Sequence, residues 1–530
     1  MSKMLKFSVS VILSIAVLVA GHPTKQNSDD FEHPKIDFKK SRLKRDLPSL
    51  TFAAPPLEQH ADFWNNNAEK TLRLQLNKNY LNKNMAKNVI YFLGDGMGLA
   101  TQMASRMFKG GEEEELSFEK FPYSGLSKTY CANTQVADSA CSATSFLCGV
   151  KANYGTIGLS ASILQGDCMG QNNSANHVDS IVKLAQDYGM RTGIITNTRV
   201  THATPAGVYA SIGDRNWEND ARVKKEGGST ETCPDIAYQL VHGHVGKRLN
   251  VIMGGGRREF LTESDKDIEG FSGLRTDTNL IKQWHRIHQS KNHKYVETKE
   301  ELHIVDTNVE RLLALFSTDH MPYHLEDNAK LKPTLTEMVE KALDIFESAN
   351  DDKGYFLFVE GGKIDHGHHY GQAKKALDET VELEKAVELA RKRTSEDNTL
   401  IVVTADHSHS FTVSGYASRG NDILGINDAM KSLDGLSYTT LGYENGPSFY
   451  ENVNSEGRRI DLEHQKLNDN DFGFPARYPL ELETHGGEDV GVYASGPYAH
   501  IFSGVYEQNF IPHAIKYIAC LGDGLTQCKS

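Results

Sequence analysis

The sequence predicts an α/β fold in which a large, mostly parallel sheet carries helices on both faces, with an inserted surface subdomain in addition. Continuous apolar runs, typical of strands buried on both faces, recur at residues 88–93, 191–196, 249–253, 355–359 and 399–404. Segments with helical apolar spacing occupy residues 63–75, 142–150, 179–186, 334–347 and 372–391. Strands that alternate with helices need crossover connections, so most of the strands must run parallel.

Length and charge limit the possible functions. The chain has 530 residues, enough for one large domain with insertions or for two domains. Its formal net charge is −13, and basic residues form no dense stripe beyond the amino-terminal region, so we expect no nucleic-acid partner. An anionic substrate would need local positive charge from metal ions or from a placed arginine.

The amino-terminal region carries targeting signals. Lys3 and Lys6 precede the short apolar run 9–20, which predicts a secretory signal peptide over residues 1–20; a membrane anchor is the alternative. Residues 21–45 end in Arg-Leu-Lys-Arg and predict a propeptide cleaved after Arg45, or otherwise a solvated tail. We expect residues 46–530 to form a single catalytic domain with an inserted subdomain at about 415–478.

The rest of the sequence shows no membrane segment. No later run reaches the ~18 apolar residues of a membrane helix. The carboxyl end, residues 521–530, is polar and lacks the hydrophobic tail that directs a lipid anchor. We therefore expect a secreted, extracellular protein in which no membrane anchor is visible.

Seven cysteines in a secreted chain predict disulfides, and the odd number leaves at least one thiol over. Cys520 and Cys528 are close enough in sequence to clip the carboxyl terminus, whereas Cys148 lies on an apolar helix face and is the candidate free thiol. Asn172 begins the one N-glycosylation acceptor pattern, which makes the chain a candidate glycoprotein.

Polar residues follow several of the predicted strands at the point where each strand ends. They are Asp95, Glu360, Asp406 and His407. In open α/β sheets ligands bind outside the carboxyl ends of the strands, so we expect these separate segments to point at one site.

Asp138 and Ser139 precede the helix predicted for residues 142–150. Free backbone N–H groups and the positive end of the helix dipole would favour an anion beside Ser139. An ordinary Asp or Ser helix cap is the alternative.

Three further segments concentrate metal-ligand side chains. Residues 364–369 contain Asp365 and His369, which share one face of a helical turn, and carboxylate with imidazole suits zinc. Residues 405–409 and 483–489 add further acidic and histidine residues. His366, His368 and His409 stay open as contacts of the phosphate or of the ligands, or as packing residues.

With these motifs the sequence resembles the alkaline phosphatase family, from about Asn88 to Cys528. The resemblance rests on Gly94-Asp95-Gly96, Asp138-Ser139, the segments 197–204, 214–217 and 360–369, Asp406-His407 and Thr484-His485. His202 makes it similar to the animal members. The resemblance implies a homodimeric phosphate monoester hydrolase with broad specificity and an alkaline optimum.

The resemblance also implies the role of each residue. Ser139 is the nucleophile that becomes a phosphoserine, and Arg215 forks onto two phosphate oxygens. Two zinc ions and one magnesium ion per subunit are implied: one zinc on Asp365, His369 and His485, a second on Asp95, Asp406 and His407, and the magnesium on Asp95, Thr204 and Glu360. His202 is placed behind the magnesium ligands, and His366 near the phosphate or a ligand carboxylate.

The resemblance implies disulfides Cys168–Cys233 and Cys520–Cys528. A calcium site of some members would involve residues 271–277, which match only loosely, so calcium stays open. Cys141 departs from the family pattern: it pairs with Cys131 and pins the loop before Ser139, or it is a buried small residue.

Two other classes of function compete with this one. A sulfatase needs a Cys/Ser-x-Pro-x-Arg motif, and Ser139 is followed by Ala-Cys-Ser-Ala; a phosphodiesterase of the same superfamily is the related possibility. A non-catalytic binding protein on the same scaffold is disfavoured because all the implied ligand positions are filled.

Overall fold

The computed structural model describes residues 56–59, 61–77, 81–349 and 351–529. The predicted signal peptide and propeptide lie outside the described residues. Within the described part no helix is long and apolar enough to cross a membrane.

Fifteen strands are present among the described residues. In chain order they are β1 Asn88–Gly94, β2 Tyr123–Lys128, β3 Arg191–Arg199, β4 Val251–Gly255, β5 His293–Val296, β6 Arg311–Leu315, β7 Tyr355–Gly361, β8 Thr399–Ala405, β9 Ser408–His409, β10 Phe411–Val413, β11 Leu441–Gly446, β12 Ala476–Pro479, β13 His485–Gly486, β14 Val490–Ser495 and β15 Gly504–Glu507.

Ten of these strands form one sheet in the order β15-β2-β14-β8-β1-β7-β3-β4-β6-β5. All neighbours pair in parallel except β14, which runs antiparallel to both β8 and β2. The predicted large, mostly parallel sheet is confirmed.

The helices of the described residues are α1 Ala61–Asn77, α2 Leu99–Lys109, α3 Ser139–Cys148, α4 Cys168–Asn172, α5 Ile181–Tyr188, α6 Ala203–Ala206, α7 Asp220–Lys225, α8 Ile236–His242, α9 Leu280–His288, α10 Lys299–His303, α11 Leu335–Ser348, α12 Lys363–His369, α13 Ala373–Arg393, α14 Ser448–Glu451 and α15 Phe510–Ile518.

Two apolar cores lie on the two faces of the sheet, which is why its central strands are apolar throughout. Along β1, Val89 and Tyr91 enter one core with residues of α3, α5 and α15. Ile90 and Phe92 point the other way and pack with residues of α11 and α13. Because successive side chains of a strand alternate between faces, both sets must be apolar to be buried.

Most predicted elements lie within a few residues of their observed bounds, and the helix beside Ser139 begins three residues earlier than predicted. It begins at Ser139, not at residue 142, because the Asp138 side chain accepts a hydrogen bond from the Cys141 amide and so caps the first turn. Ser139 is therefore the first helical residue.

The region predicted as an inserted subdomain contains little helix. Strands β10, just before the region, β11, within it, and β12, at its end, form a separate small sheet, and α14 is its short helix. A small apolar cluster, which includes Leu424 and Leu441, joins it to α2 and α13. Its division from the rest of the chain stays a prediction.

Three disulfides join Cys131 to Cys141, Cys168 to Cys233, and Cys520 to Cys528. Cys148 is a free thiol, as predicted, and burial raises its pKa to about 12.

Candidate active site

The site lies at the carboxyl ends of three adjacent strands. Strand β1 stands between β7 and β8, so Asp95, Glu360 and Asp406 follow or end neighbouring strands. All three side chains are fully buried. The expectation that separate strand ends converge on one place is confirmed by this geometry.

Gly96 lets the chain turn closely past these carboxylates. Its φ is 69°, in the left-handed region, and a Cβ there would lie 2.3 Å from His409 Nε2. Its amide donates to Asp406 Oδ1 at 3.0 Å. A side chain at this position would displace both the imidazole and the loop.

Ser139 stands at the start of α3, beside these side chains. Its Oγ lies 3.5 Å from Asp95 Oδ1 and 3.3 Å from His407 Nε2. Ser142, one turn further along the helix, donates to Asp406 Oδ2 at 3.2 Å. The helix start therefore holds Ser139 against the carboxylate and imidazole groups.

The first group of predicted zinc ligands comes from α12 and β13. Asp365 lies near both imidazoles, with Oδ2 at 3.3 Å from His369 Nε2 and Oδ1 at 3.3 Å from His485 Nε2. The two Nε2 atoms are 3.2 Å apart. Pairing of β13 with β9, in which His485 stands opposite His409, brings His485 to this place.

The backbone fixes how the predicted ligand imidazoles present their nitrogens. The Nδ1 atoms of His369, His485 and His407 face the carbonyl oxygens of Glu483, Ala137 and Ser408 at 2.5, 2.7 and 3.1 Å. A carbonyl only accepts, so each Nδ1 carries the proton and each Nε2 keeps its lone pair for the site. In the neutral imidazoles the two lone pairs of His369 and His485, 3.2 Å apart, repel each other unless a proton or a metal ion stands between them.

The second group consists of Asp95, Asp406 and His407. His407 Nε2 lies 3.1 Å from Asp406 Oδ2 and 3.5 Å from Asp95 Oδ1. Burial and neighbouring carboxylates raise the pKa of both Asp95 and Asp406, so the charged forms are unfavourable here without a counter-ion.

The third group surrounds Glu360. Thr204 donates to Asp95 Oδ2 at 3.4 Å, while Thr196 and Thr198 donate to Glu360 Oε2. Glu360 Oε1 is buried without a partner, and burial raises the pKa of Glu360 to about 7. His202 also belongs to this group, and its Nδ1 is likewise buried without a partner.

Arg215 supplies a guanidinium group to the site. Its Nη1 donates to Asp138 Oδ2 at 3.0 Å, and its Nη2 lies 3.3 Å from His202 Nε2. Asp138 caps α3 at the same time, so one carboxylate joins the arginine to the helix start that carries Ser139.

His366 stands at the edge of the site. Its ring centroid is 5.7 Å from that of His202 and 4.3 Å from that of His320, and its Nδ1 is 3.4 Å from Lys363 Nζ. Burial and the Lys363 ammonium lower its pKa to about 3, so the ring is neutral. His320, which also contacts Arg199 at 2.6 Å, was missed because a single histidine after a strand gives no signal.

The sequence reasoning also understated His409 and missed Glu483. His409 Nδ1 lies 2.5 Å from Glu483 Oε2, and its Nε2 lies 2.9 Å from Asp365 Oδ1. Burial opposes protonation, but the carboxylates of Glu483 and Asp365 raise the pKa of His409 to about 10. The Asp-His-Ser-His run contained the signal for His409, whereas Glu483 is recognisable only from the fold.

These residues fit metal cations. Carboxylate and imidazole atoms converge in overlapping groups, among them Asp95 with Asp406 and His407, and Asp95 with His202 and Glu360. Oriented Nε2 lone pairs, raised carboxylate pKa values and orphaned buried oxygens are each what a cation would satisfy. The half-cystines Cys131 and Cys141 are joined to each other and so do not offer metal ligands.

The residues suggested for calcium do not fit it. Asp277 is forked by Arg275 at 2.8 and 2.9 Å, and Glu269, two residues before Phe271, contacts the Lys332 ammonium. Among the described residues of this segment no group of converging acidic ligands occurs. A side-chain cation already faces these carboxylates.

The chain is similar to known proteins over most of its length. The model of the family described as "Alkaline phosphatase" matches residues 86–521. The membrane-bound alkaline phosphatase of Bombyx mori is 43% identical over 493 residues, which cover 89% of this chain and 88% of that protein. The human tissue-nonspecific isozyme is 43% identical over 488 residues, 89% of this chain and 91% of that protein.

Solved structures share the fold. The alkaline phosphatase of the Antarctic bacterium TAB5 matches with a TM-score of 0.57 at 22% identity, over 83% of this chain and 100% of that chain. At this identity the solved structure shows the fold alone, whereas the family model and the animal relatives show the family. The chain belongs to the alkaline phosphatase family and is a metal-dependent hydrolase of phosphate monoesters.

Proposed function

We propose that this enzyme cleaves phosphate monoesters through a phosphoserine at Ser139, with an alkaline optimum, and releases an alcohol and inorganic phosphate. The observation that carries the proposal is the position of Ser139 Oγ, 3.3 Å from His407 Nε2 and 3.5 Å from Asp95 Oδ1 at the start of α3. Attack by Oγ on phosphorus would form the serine ester and expel the alcohol, and water would then hydrolyse that ester.

We propose two zinc ions and one magnesium ion per subunit. Asp365, His369 and His485 would hold one zinc, and Asp95, Asp406 and His407 the other. Asp95, Thr204 and Glu360 would hold the magnesium, with His202 behind them. When bound, these ions supply Lewis-acid stabilisation of the charge that develops on the phosphate oxygens.

Arg215 would bind the phosphate. A planar guanidinium matches two phosphate oxygens at once, and Asp138 holds one edge of it at 3.0 Å. Backbone N–H groups at the start of α3 would add donors to the same anion. These contacts are to phosphate only, so the alcohol portion is left unread and the specificity is broad.

We further propose a secreted, extracellular homodimer with one catalytic domain at residues 46–530 and an inserted subdomain at about 415–478. The apolar run at residues 9–20 supports secretion. The small separate sheet of β10, β11 and β12 supports the inserted subdomain. Sedimentation of the purified protein measures the subunit number.

The nucleophile is tested by Ser139→Ala. We expect hydrolysis of p-nitrophenyl phosphate to fall at least about 1,000-fold while metal content stays near normal. Ser145→Ala is the matched control, because Ser145 is a buried serine of the same helix whose Oγ has no hydrogen-bond partner. Ordinary activity in Ser139→Ala would exclude the nucleophile, and an acid optimum of the wild type would contradict the proposed pH dependence.

A further inference from the structure

We propose that the Cys131–Cys141 disulfide is a positioning device for the phosphate-binding residues, and not only a staple of the fold. This proposal rests on the roles proposed above for Ser139 and Arg215. The disulfide closes a ring of residues 131–141, with a sequence separation of 10. Three consecutive residues inside that ring, Ala137, Asp138 and Ser139, each contact a different part of the site.

Ala137 acts through its carbonyl. His485 Nδ1 donates to the Ala137 oxygen at 2.7 Å, which fixes the tautomer and direction of that imidazole. A displacement of the backbone of residues 131–141 would turn the Nε2 atom of His485 away from Asp365.

Asp138 acts through both carboxylate oxygens. Oδ1 accepts from the amides of Cys141 and Gly155 at 3.1 and 3.2 Å, and Oδ2 holds Arg215 at 3.0 Å. The half-cystine Cys141 is therefore bonded to the carboxylate that holds the arginine, as well as to the disulfide.

The segment between the half-cystines has little else to hold it. Residues 132–136 form no helix or strand, and four of the five are exposed. Two hydrogen bonds join the start of the segment to its neighbour: the Ala132 amide donates to the Ala152 carbonyl and the Tyr154 amide donates to Asn133 Oδ1, both at 2.8 Å. The apolar cluster at its base contains four small residues, Cys131, Ala137, Cys141 and Ala152. A covalent link across such a loop removes conformations in which its ends separate.

The chain supplies a matched control. Cys520–Cys528 closes a ring of similar size, with a sequence separation of 8, near the carboxyl terminus. Cys528 Sγ contacts Met85, remote from the residues of the site. Loss of either disulfide should raise the entropy of the unfolded chain, and so lower stability, by a similar amount, because this contribution changes slowly with loop length.

The experiment compares Cys131→Ala/Cys141→Ala with Cys520→Ala/Cys528→Ala in the full chain loaded with zinc and magnesium. We expect the first pair to lower kcat/KM by about 10- to 100-fold and to raise the inhibition constant of inorganic phosphate by about tenfold, as for residues that orient ligands. The second pair is expected to stay within about twofold in both. Zinc content and the unfolding midpoint are measured on the same samples.

A second readout separates positioning from general stability. If the disulfide acts through Asp138, removal of the disulfide should weaken phosphate binding much less in an Asp138→Asn background than in the wild type. The proposal would be overturned if the two double variants had equal kinetics, or if removal of Cys131–Cys141 had the same effect in the Asp138→Asn background. It would also be overturned if Cys131→Ala/Cys141→Ala could not fold while Cys520→Ala/Cys528→Ala could. Failure of the proposed function is seen separately, as activity retained in Ser139→Ala.

Discussion

In two acid-rich regions of this molecule the carboxylates have opposite electrostatic surroundings. In the active site Asp95, Asp406 and Glu360 are fully buried close together, and burial together with neighbouring carboxylates raises the pKa of each. In the segment of residues 265–277 the carboxylates are matched by basic side chains. Asp265 pairs with Lys282, Asp267 with Arg257, Glu269 with Lys332 and Asp277 with Arg275.

This comparison shows which of the two regions needs a cation from solution. A buried carboxylate without a counter-charge costs several kcal/mol, and the site has one arginine beside several acidic groups. The carboxylates of the segment already face basic side chains, so an added ion has no vacant carboxylate to bind. Acidic composition alone does not distinguish the two regions; the position of Lys and Arg in space does.

The largest expected effect is that of removing metals. Chelation should abolish phosphatase activity, and zinc with magnesium should restore it, because the site's charges and imidazole lone pairs need divalent cations. Activity and metal content are measured before chelation, after it and after reconstitution. Full activity in metal-free protein would contradict the proposed site.

The second prediction is that substitutions in the two regions change stability in opposite directions. In the metal-free protein Asp406→Asn should raise the unfolding midpoint, because one of several repelling charges is removed. Asp267→Asn should lower the free energy of unfolding by about 1–3 kcal/mol, because the fully buried Arg257 loses Asp267 Oδ2 at 2.9 Å and keeps only the Glu297 carboxylate at 3.1 Å. Calorimetry of both variants without metal decides the point, and shifts of the same sign would remove the contrast between the regions.

Asp406→Asn should also reduce the activity of the metal-loaded enzyme by at least about 100-fold, since even partners of ligands typically contribute 10- to 100-fold. Asp267→Asn should leave kcat within a few-fold at temperatures where the protein is folded. A comparable loss in both would mean that the acidic segment supports the site directly.

A moderate effect is expected for Lys332→Ala. The Lys332 ammonium contacts Glu269 and lies 2.5 Å from the Phe316 carbonyl oxygen, with 17% of the side chain exposed. Its removal should lower the free energy of unfolding by about 1–3 kcal/mol. The control is Lys392→Ala, which breaks an exposed pair with Glu388 and should change it by less than about 0.5 kcal/mol.

The same samples test calcium. Because Lys332 faces Glu269, added Ca²⁺ should leave the unfolding midpoint of the wild type unchanged, whereas it should partly restore Lys332→Ala, in which oxygen ligands are freed. A calcium-dependent rise of the wild-type midpoint would show that the segment binds the ion in spite of the lysine.

The smallest effect is a pH dependence. Hydrogen bonds from Thr262, then from Asn279 and Lys282, lower the pKa of Asp265 to about 2. Its stabilisation is thus complete above the unfolded pKa, near 4, and is lost as pH falls through about 2. The difference in unfolding midpoint between wild type and Asp265→Asn should be constant from pH 8 to pH 5 and shrink below about pH 4.

The sequence predicted the sheet well because its central strands are buried on both faces. Apolar runs such as residues 88–93 have no alternative to the interior, and their order with the helices requires parallel pairing. The start of α3 was misplaced by three residues, since capping by Asp138 depends on a side-chain direction that the apolar pattern does not report.

The predicted site residues come together in the structure, yet their supporting contacts were not predictable. His320 lies in a segment without any distinctive pattern, and the position of Glu483 within the segment 483–489 does not reveal that its carboxylate faces His409. The pairing of Cys131 with Cys141 was one of two open alternatives, and the structure selected it because both side chains are buried in one small cluster.

The fold class and the family could be predicted from the sequence alone, since they follow from apolar periodicity and from motifs of adjacent residues, while the side chains that bind each metal stay a prediction. The tertiary structure decided which nitrogen of each histidine faces the site and which carboxylates lack a counter-charge. Both depend on partners far apart in the chain: His485 meets the Ala137 carbonyl 348 residues away, and Lys332 meets Glu269 63 residues away. Such contacts leave no local trace in a sequence, because their cost and benefit arise only when folding brings the two segments together.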